Sequence, residues 1–255
     1  MHSGIYPETQ EGLVSFSTAY ARALNSLSAP DLLAVATHRR GTEVPVFSRT
    51  VSASVEIIHS RALEPFYFPR EPWSRCLEGK TVLIVHPFAD SVKCQLGRSH
   101  ILFPGTNILP SFNAKVVKAF QCLGRGRLPH RNWQETFDAM TRLVDDVGHF
   151  DVAIIGAGSY GLPLAVWCKE RKGASAVVVG GATQLLFGLK GRRWDSHPIL
   201  KLLYNAAWIY PLAADTTSDA KKIEQGGPYW GRGTDVLKVC PPVVASQSGE
   251  TQNLN

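Results

Sequence analysis

Two consecutive units of strand, glycine turn and helix constrain the fold of this chain more than any other feature, and they fill residues 151–195. The apolar run 152–155 leads into the turn GAGSYG, and a helical pattern follows. A second apolar run, 176–179, ends at the pair Gly180-Gly181, before another helical pattern. In a parallel sheet both turns lie at the carboxyl edge, where open α/β sheets bind their ligands.

Other segments complete the pattern of an α/β protein. The run 81–85 is short, β-branched and apolar, as a buried parallel strand should be, and further strands are predicted at 32–36 and 115–120. Helices are predicted at 8–27, 52–62, 90–102, 196–207 and after Asn132. We therefore predict a Rossmann-like parallel sheet with flanking helices and a helical amino-terminal extension.

The composition changes twice along the chain. Three prolines in the segment 64–73 mark an extended connector, which predicts a boundary between an amino-terminal extension (1–72) and the α/β domain (73–230). The segment 231–255 is polar and of simple composition, and we interpret it as a disordered tail.

The net charge and the cysteine pattern indicate which kinds of ligand and which cellular compartment suit this protein. The formal charge of +6 suits an anionic small ligand, and no nucleic-acid module surrounds the basic loops. The five cysteines are scattered without metal-ligand spacing, which fits a reducing compartment. No signal peptide and no run of membrane-spanning length is visible. We therefore predict a cytoplasmic protein with no membrane span and no nucleic-acid partner; the oligomeric state stays open.

The first glycine turn matches the pattern G-x-G-x-x-G between a strand and a helix. In that pattern Gly156 permits the tight turn, Gly158 lets a ligand approach the backbone, and Gly161 lets the helix pack on the strand. An NAD(P)-binding site would need an acidic residue after the next strand, and the first carboxylate here is Asp195. The alternative is that the glycines serve helix–strand packing alone.

Further candidate ligand contacts lie in the second turn and in a basic cluster after it. Helix amino ends offer free N–H groups to an anion, and guanidinium groups form forked bonds to phosphate. Together the two turns and the cluster give the predicted binding residues Gly156, Gly158, Tyr160, Gly161, Gly180, Gly181, Thr183, Gln184, Lys190, Arg192 and Arg193. His86 and Asp90 follow the first strand of the domain, and either is a candidate general base.

Three segments resemble a family of largely uncharacterised proteins with a glycosyltransferase fold of the GT-D type. They read PWSRCLEGKTVLIVHPFADSVKCQ, FDVAIIGAGSYGLPLAVWCKERKG and VVVGGATQLLFGLKGRRWD, and EQGGPYW near the carboxyl end is similar to that family's last segment. The resemblance covers about half the chain, and GGATQLLFG-x-KG-x-RW is its most specific part.

The resemblance implies that a nucleotide-sugar binds with its diphosphate near 156–161 and 180–184, and that its sugar is transferred to an acceptor. GT-D transferases carry an acidic metal-binding motif near the amino end. The segment HRRGTE at 38–43 is a poor counterpart, so divalent metal use is doubtful and no metal ligand is assigned. Two alternatives stay open: an NAD(P)-dependent oxidoreductase, and a non-catalytic binding protein of the same fold.

Overall fold

Parallel strands form two sheets in the computed structural model, which describes residues 4–36, 40–121, 128–217, 220, 223 and 226–242 without the side chains of 40–42 and 234. The strands are β1 (Leu32–Val35), β2 (Glu56–His59), β3 (Thr81–His86), β4 (Asn113–Lys118), β5 (Val152–Ile155) and β6 (Ser175–Val178). β1 and β2 pair as a separate ribbon, and the main sheet has the order β4-β3-β5-β6. All pairs are parallel.

The strand order reverses between β3 and β5. From β3 the chain moves to one side to form β4, and then returns to the other side of β3 to form β5. The connections after β3 and β5 therefore diverge, and a crevice at the carboxyl ends of these two strands is the usual ligand position in such sheets. His86 ends β3, and the GAGSYG turn follows β5.

Helices cover both faces of the main sheet. They are α1 (Gln10–Asn25), α2 (Arg40–Thr50), α3 (Ala89–Leu96), α4 (Ser99–Leu102), α5 (Trp133–Asp146), α6 (Gly161–Lys172), α7 (Thr183–Leu186) and α8 (Arg192–Asp195). Local signals explain where two of them begin: the side chains of Thr9 and Asn132 accept hydrogen bonds from amides in the first turns of α1 and α5.

Alternate residues of the central strands face two hydrophobic cores. Val82 and Ile84 pack with Val92 of α3 and the 185–223 region on one face. Leu83 and Val85 pack on the other face with α1, α5 and α6. This two-sided burial requires continuous apolar strands, which is the pattern that the sequence shows at 81–85.

The prediction of a Rossmann-like α/β fold with flanking helices is confirmed, but the amino-terminal segment holds more than helices. The helix predicted at 52–62 is wrong, because residues 56–59 form β2 and a 3-10 turn follows at 60–63. Ile57 and Ile58 are β-branched, and pairing with β1 satisfies their backbone in a way that a local pattern does not reveal.

Two helices predicted after the first strand of the main sheet are also partly wrong. The segment 90–102 is split into α3 and α4 at Gly97. The segment 196–207 forms only a 3-10 turn at 200–203, and Leu202 is 77% exposed. Its apolar spacing therefore does not build a buried helix face. His197 accepts hydrogen bonds from the amides of residues 199 and 200, which competes with helical bonding.

A disulfide joins Cys94 of α3 to Cys240. This bond argues against the reducing compartment inferred from the cysteine spacing, since disulfides persist mainly in oxidising environments. Cys168 is a buried core residue, and burial raises its thiol pKa to about 12. Residues 231–242 of the predicted tail lie within the described part of the chain, and residues 243–255 lie outside it. In the segment EQGGPYW, Glu224 and Gln225 also lie outside the described part.

Candidate functional site

Three connections meet at the carboxyl edge of the main sheet, around Gly156. A Cβ atom at Gly156 would lie 2.5 Å from His86 Cδ2, 2.9 Å from the Gly180 carbonyl oxygen and 2.9 Å from Thr183 Oγ1. The loops after β3, β5 and β6 therefore touch, and only glycine fits between them. The sequence predicted this convergence from strand ends alone.

His86 is a hydrogen-bond donor at this site. Its imidazole is buried, and burial lowers the pKa to about 3, so the ring is neutral near pH 7. Nδ1 accepts a hydrogen bond of 3.0 Å from the Phe88 amide. In a neutral ring the proton is then on Nε2, which can donate but cannot accept. This geometry does not suit the general base that we predicted at His86.

The Thr183 hydroxyl is buried beside His86 and Gly156. The residue is 0% exposed, and within the described residues its Oγ1 has no hydrogen-bond partner. A buried hydroxyl without a partner costs about 1–3 kcal/mol of stability. An unsatisfied donor that faces a glycine turn is what a binding site for an acceptor-rich ligand requires.

The two glycine turns differ in how open they are. Gly158 is exposed with φ of 57°, and the 3-10 turn 158–160 leads directly into α6. Gly180 has φ of 59° and no atom within 4 Å of the position of a Cβ. Gly161 is different, because a Cβ there would lie 2.8 Å from Val178 Cγ1. Gly161 thus serves helix–strand packing, while Gly158 and Gly180 border open space.

Aromatic side chains from the carboxyl-terminal segment cover part of this edge. Tyr229 packs on Gly181, where a Cβ would lie 2.8 Å from its Cε1. The buried Trp230 stacks edge-on against Phe88 with ring centroids 5.2 Å apart. The ring of Tyr229 therefore covers Gly181, which we had predicted to contact a ligand. Within the described part of the chain, a ligand can approach this edge only beside Gly158 and Gly180.

Two of the predicted binding side chains serve as internal links. Tyr160 points to the opposite face, where its hydroxyl donates to the Gly4 carbonyl oxygen at 2.7 Å. The Gln184 amide nitrogen donates to the carbonyl oxygens of Leu189, Lys190 and Tyr229 at 3.3, 3.0 and 3.2 Å. The hydroxyl of Tyr160 and the amide nitrogen of Gln184 are engaged in these bonds, so neither group is available to donate to a ligand.

The three cations of the basic cluster have different surroundings. Lys190 Nζ lies over the rings of Tyr204 and Tyr210. Arg192 donates to the Gly227 carbonyl oxygen at 3.1 Å. Arg193 is exposed and donates to the Tyr229 hydroxyl at 2.8 Å, and Tyr229 in turn packs on Gly181. Arg193 is therefore the member of the cluster that the fold links most directly to the glycine turns.

Asp90 belongs to a neighbouring ionic network that the sequence did not reveal. Lys118, at the end of β4, contacts Asp90 at 2.9 Å and the buried Asp215 at 2.7 Å. Asp215 also accepts hydrogen bonds from the Ser91 amide and hydroxyl, both at 2.7 Å. The hydrogen bond from Lys118 lowers the pKa of Asp90, which makes it a weak base. Only the position of Lys118 at a strand end could have drawn attention to this network.

Comparison with protein-family models, with curated proteins and with solved structures finds no match for this chain. Within the described residues, no group of three or more His, Cys, Asp or Glu side chains is arranged to hold a metal ion. Among the described helices, none is both long and apolar enough to cross a membrane.

Proposed function

We propose that this protein binds the diphosphate of a nucleotide-sugar at the carboxyl edge of the main sheet, beside Gly158 and Gly180. The observation that carries the proposal is the unpartnered hydroxyl of Thr183, buried next to His86 and Gly156. A phosphate oxygen would accept from this hydroxyl and from His86 Nε2–H. Both groups are neutral donors, and within the described residues the Thr183 hydroxyl has no other partner.

The expected charge of the ligand follows from the other groups at this edge, which are the start of α6 and Arg193. The turn 158–160 leads into the 12-residue helix α6, and at this amino end the Tyr160 amide donates to Ala157, the Gly161 amide donates to Gly158, and residue 163 is a proline. The amides of Gly158 and Ser159 are therefore the ones that this end would offer to a phosphate. The helix dipole adds a partial positive charge at this end. Arg193, whose charge also acts on Glu64, adds a positive charge beside Tyr229, the ring that packs on Gly181. These features favour a phosphate group over a neutral sugar.

The identity of the ligand as a nucleotide-sugar rests on the GT-D resemblance. Binding is better supported than sugar transfer, because a base is missing from the geometry. His86 has its Nδ1 lone pair engaged, and Asp90 is paired with Lys118. Transfer to an acceptor stays a proposal that the resemblance alone motivates. The cytoplasmic location was predicted from the cysteine spacing and the lack of a visible signal peptide, and the Cys94–Cys240 disulfide argues against it.

The alternative of an NAD(P)-dependent oxidoreductase has one specific feature in its favour, the GAGSYG turn after β5. The strand β6 is followed by Val179, Gly180 and Gly181, so no carboxylate stands where a ribose hydroxyl would be held. The third possibility is a non-catalytic binding or scaffold protein that keeps the fold for stability alone, and in that case the loss of the Thr183 hydroxyl has no effect on nucleotide-sugar binding.

The substitution Thr183→Val tests the proposal, because it removes the hydroxyl and keeps the shape of the side chain. We expect the free protein to be at least as stable as the wild type, since a buried unsatisfied group is lost. UDP-, GDP- and CMP-sugars, with NADH for comparison, are titrated by calorimetry and thermal shift. The expected result is binding of a nucleotide-sugar by the wild type and at least about tenfold weaker binding by the variant.

The matched control is Thr136→Val, at a buried threonine whose hydroxyl bonds to Tyr6 and His130. This change should lower stability by about 1–3 kcal/mol and leave ligand affinity unchanged. Equal affinity of Thr183→Val and wild type, or no binding of any nucleotide-sugar at millimolar concentration, refutes the proposal. Binding of NADH alone favours the oxidoreductase.

A further inference from the structure

A cavity lies at the free edge of the main sheet, beside β6, at the opposite side of the sheet from Lys118 of β4. Its volume is about 580 Å³. One wall is β6, and the other walls are β1, α1 and α6. The lining is mainly aliphatic and includes Leu27, Leu33, Leu162, Ala165 and Val166. Lys169 and Asp31 form an ion pair there. The cavity shares no residue with the proposed nucleotide-sugar site.

Within the described residues, part of the backbone of β6 has no hydrogen-bond partner and lines this cavity. The amides of Ser175 and Val179 donate to residues of the β5 side, Asp151 and Ile155. Hydrogen-bonding groups alternate in direction along a parallel strand, so those of Ala176 and Val178 point away from β5. β6 is the last strand of its sheet, and both residues line the cavity.

A peptide backbone is the ligand that such an edge recognises. Ala176 and Val178 are half-buried, and an edge strand with free amide and carbonyl groups is a template for another strand. A purely apolar ligand would fill the aliphatic walls but would leave these groups unsatisfied. The opposite wall contains β1, which within the described strands is hydrogen-bonded only to β2.

We infer that this cavity binds an extended peptide segment of a partner protein, which adds to the main sheet as a strand beside β6. The peptide pairs with the outward amide and carbonyl groups of Ala176 and Val178. Its alternate side chains are small or β-branched and apolar, because they contact Leu162 and Val166 on one side.

The test uses a synthetic probe, an acetylated and amidated Thr-Val-Thr-Val-Thr pentapeptide, titrated against the wild-type protein. A version with every backbone amide N-methylated has the same side chains but cannot donate hydrogen bonds. We expect the probe to bind and to slow hydrogen exchange at Ala176 and Val178. We expect the methylated peptide to bind at least about tenfold more weakly.

The variant Ala176→Pro removes the outward N–H without touching the bonds to β5, and proline is tolerated at such an edge position. It should lose binding of the probe, whereas Ala176→Ser, which keeps the N–H, should bind as the wild type does. The inference is overturned if the probe does not bind at millimolar concentration, or if methylation or the proline has no effect. It is also overturned if a dimer of this chain forms through the same edge and excludes the probe.

Discussion

The stability of this protein should fall as the pH is lowered from 7 to 4, because His86 is buried in its neutral form. An unfolded histidine has a pKa of about 6.5, and burial lowers that of His86 to about 3. Between these values the unfolded chain binds a proton that the folded chain does not. Stability contributed by the neutral ring is therefore complete above about pH 6.5 and is lost progressively towards pH 3.

The magnitude follows from the separation of the two pKa values. Each pH unit in this window costs about 1.4 kcal/mol, so the free energy of unfolding should fall by about 2 kcal/mol at pH 5 through His86 alone. Other groups also titrate in this range, so the quantity to measure is a difference between variants. Urea unfolding at pH 5, 6, 7 and 8 gives the free energy of unfolding at each pH.

The variant His86→Asn keeps an acceptor for the Phe88 amide but does not titrate. Its stability should depend less steeply on pH than that of the wild type below pH 6.5, by about 1.4 kcal/mol for each pH unit. The control His100→Asn removes an exposed histidine and should keep the wild-type slope. Equal slopes for wild type and His86→Asn would show that His86 is protonated or solvated in the folded protein, and would remove it from the proposed donors.

Two further predictions concern the links that hold the carboxyl-terminal half in place. Asp215→Asn should lower the free energy of unfolding by about 1–3 kcal/mol, because the Ser91 amide and hydroxyl lose a buried charged acceptor while the half-exposed Lys118 keeps its contact with Asp90; a loss below about 0.5 kcal/mol in urea unfolding would contradict this. Cys240→Ser should lower stability by about 2–5 kcal/mol, since the bond to Cys94 closes a long loop; dithiothreitol should weaken the wild type by the same amount and leave the variant unchanged, and an effect of the reductant on both would contradict this.

The sequence predicted which loops meet at the site, but not where several of their side chains lie. Strand ends and glycines predicted that the loops after β3, β5 and β6 would meet, and Gly156 lies between them. Tyr160 is adjacent to these glycines in sequence, yet its hydroxyl bonds to Gly4 on the other face. At the start of a helix, a shift of one residue changes the face on which a side chain lies. A sequence pattern does not show which residue lies on which face.

The network of Lys118 and Asp215 could not be predicted from sequence, because its members are 97 residues apart. The covering of Gly181 by Tyr229 is of the same kind. Neither contact is implied by local spacing, and both depend on where the segment after α8 returns across the sheet edge.

The amino-acid sequence by itself determined the parallel sheet, the cap of α5, and the glycine turns at the carboxyl edge. These features depend on hydrophobic periodicity and backbone conformation, which neighbouring residues set. The tertiary structure decided which donors are unsatisfied, which cations are already engaged and which part of the edge is covered. Those properties depend on long-range packing, since His86 and Thr183 are buried against Gly156, which is distant from both in the chain.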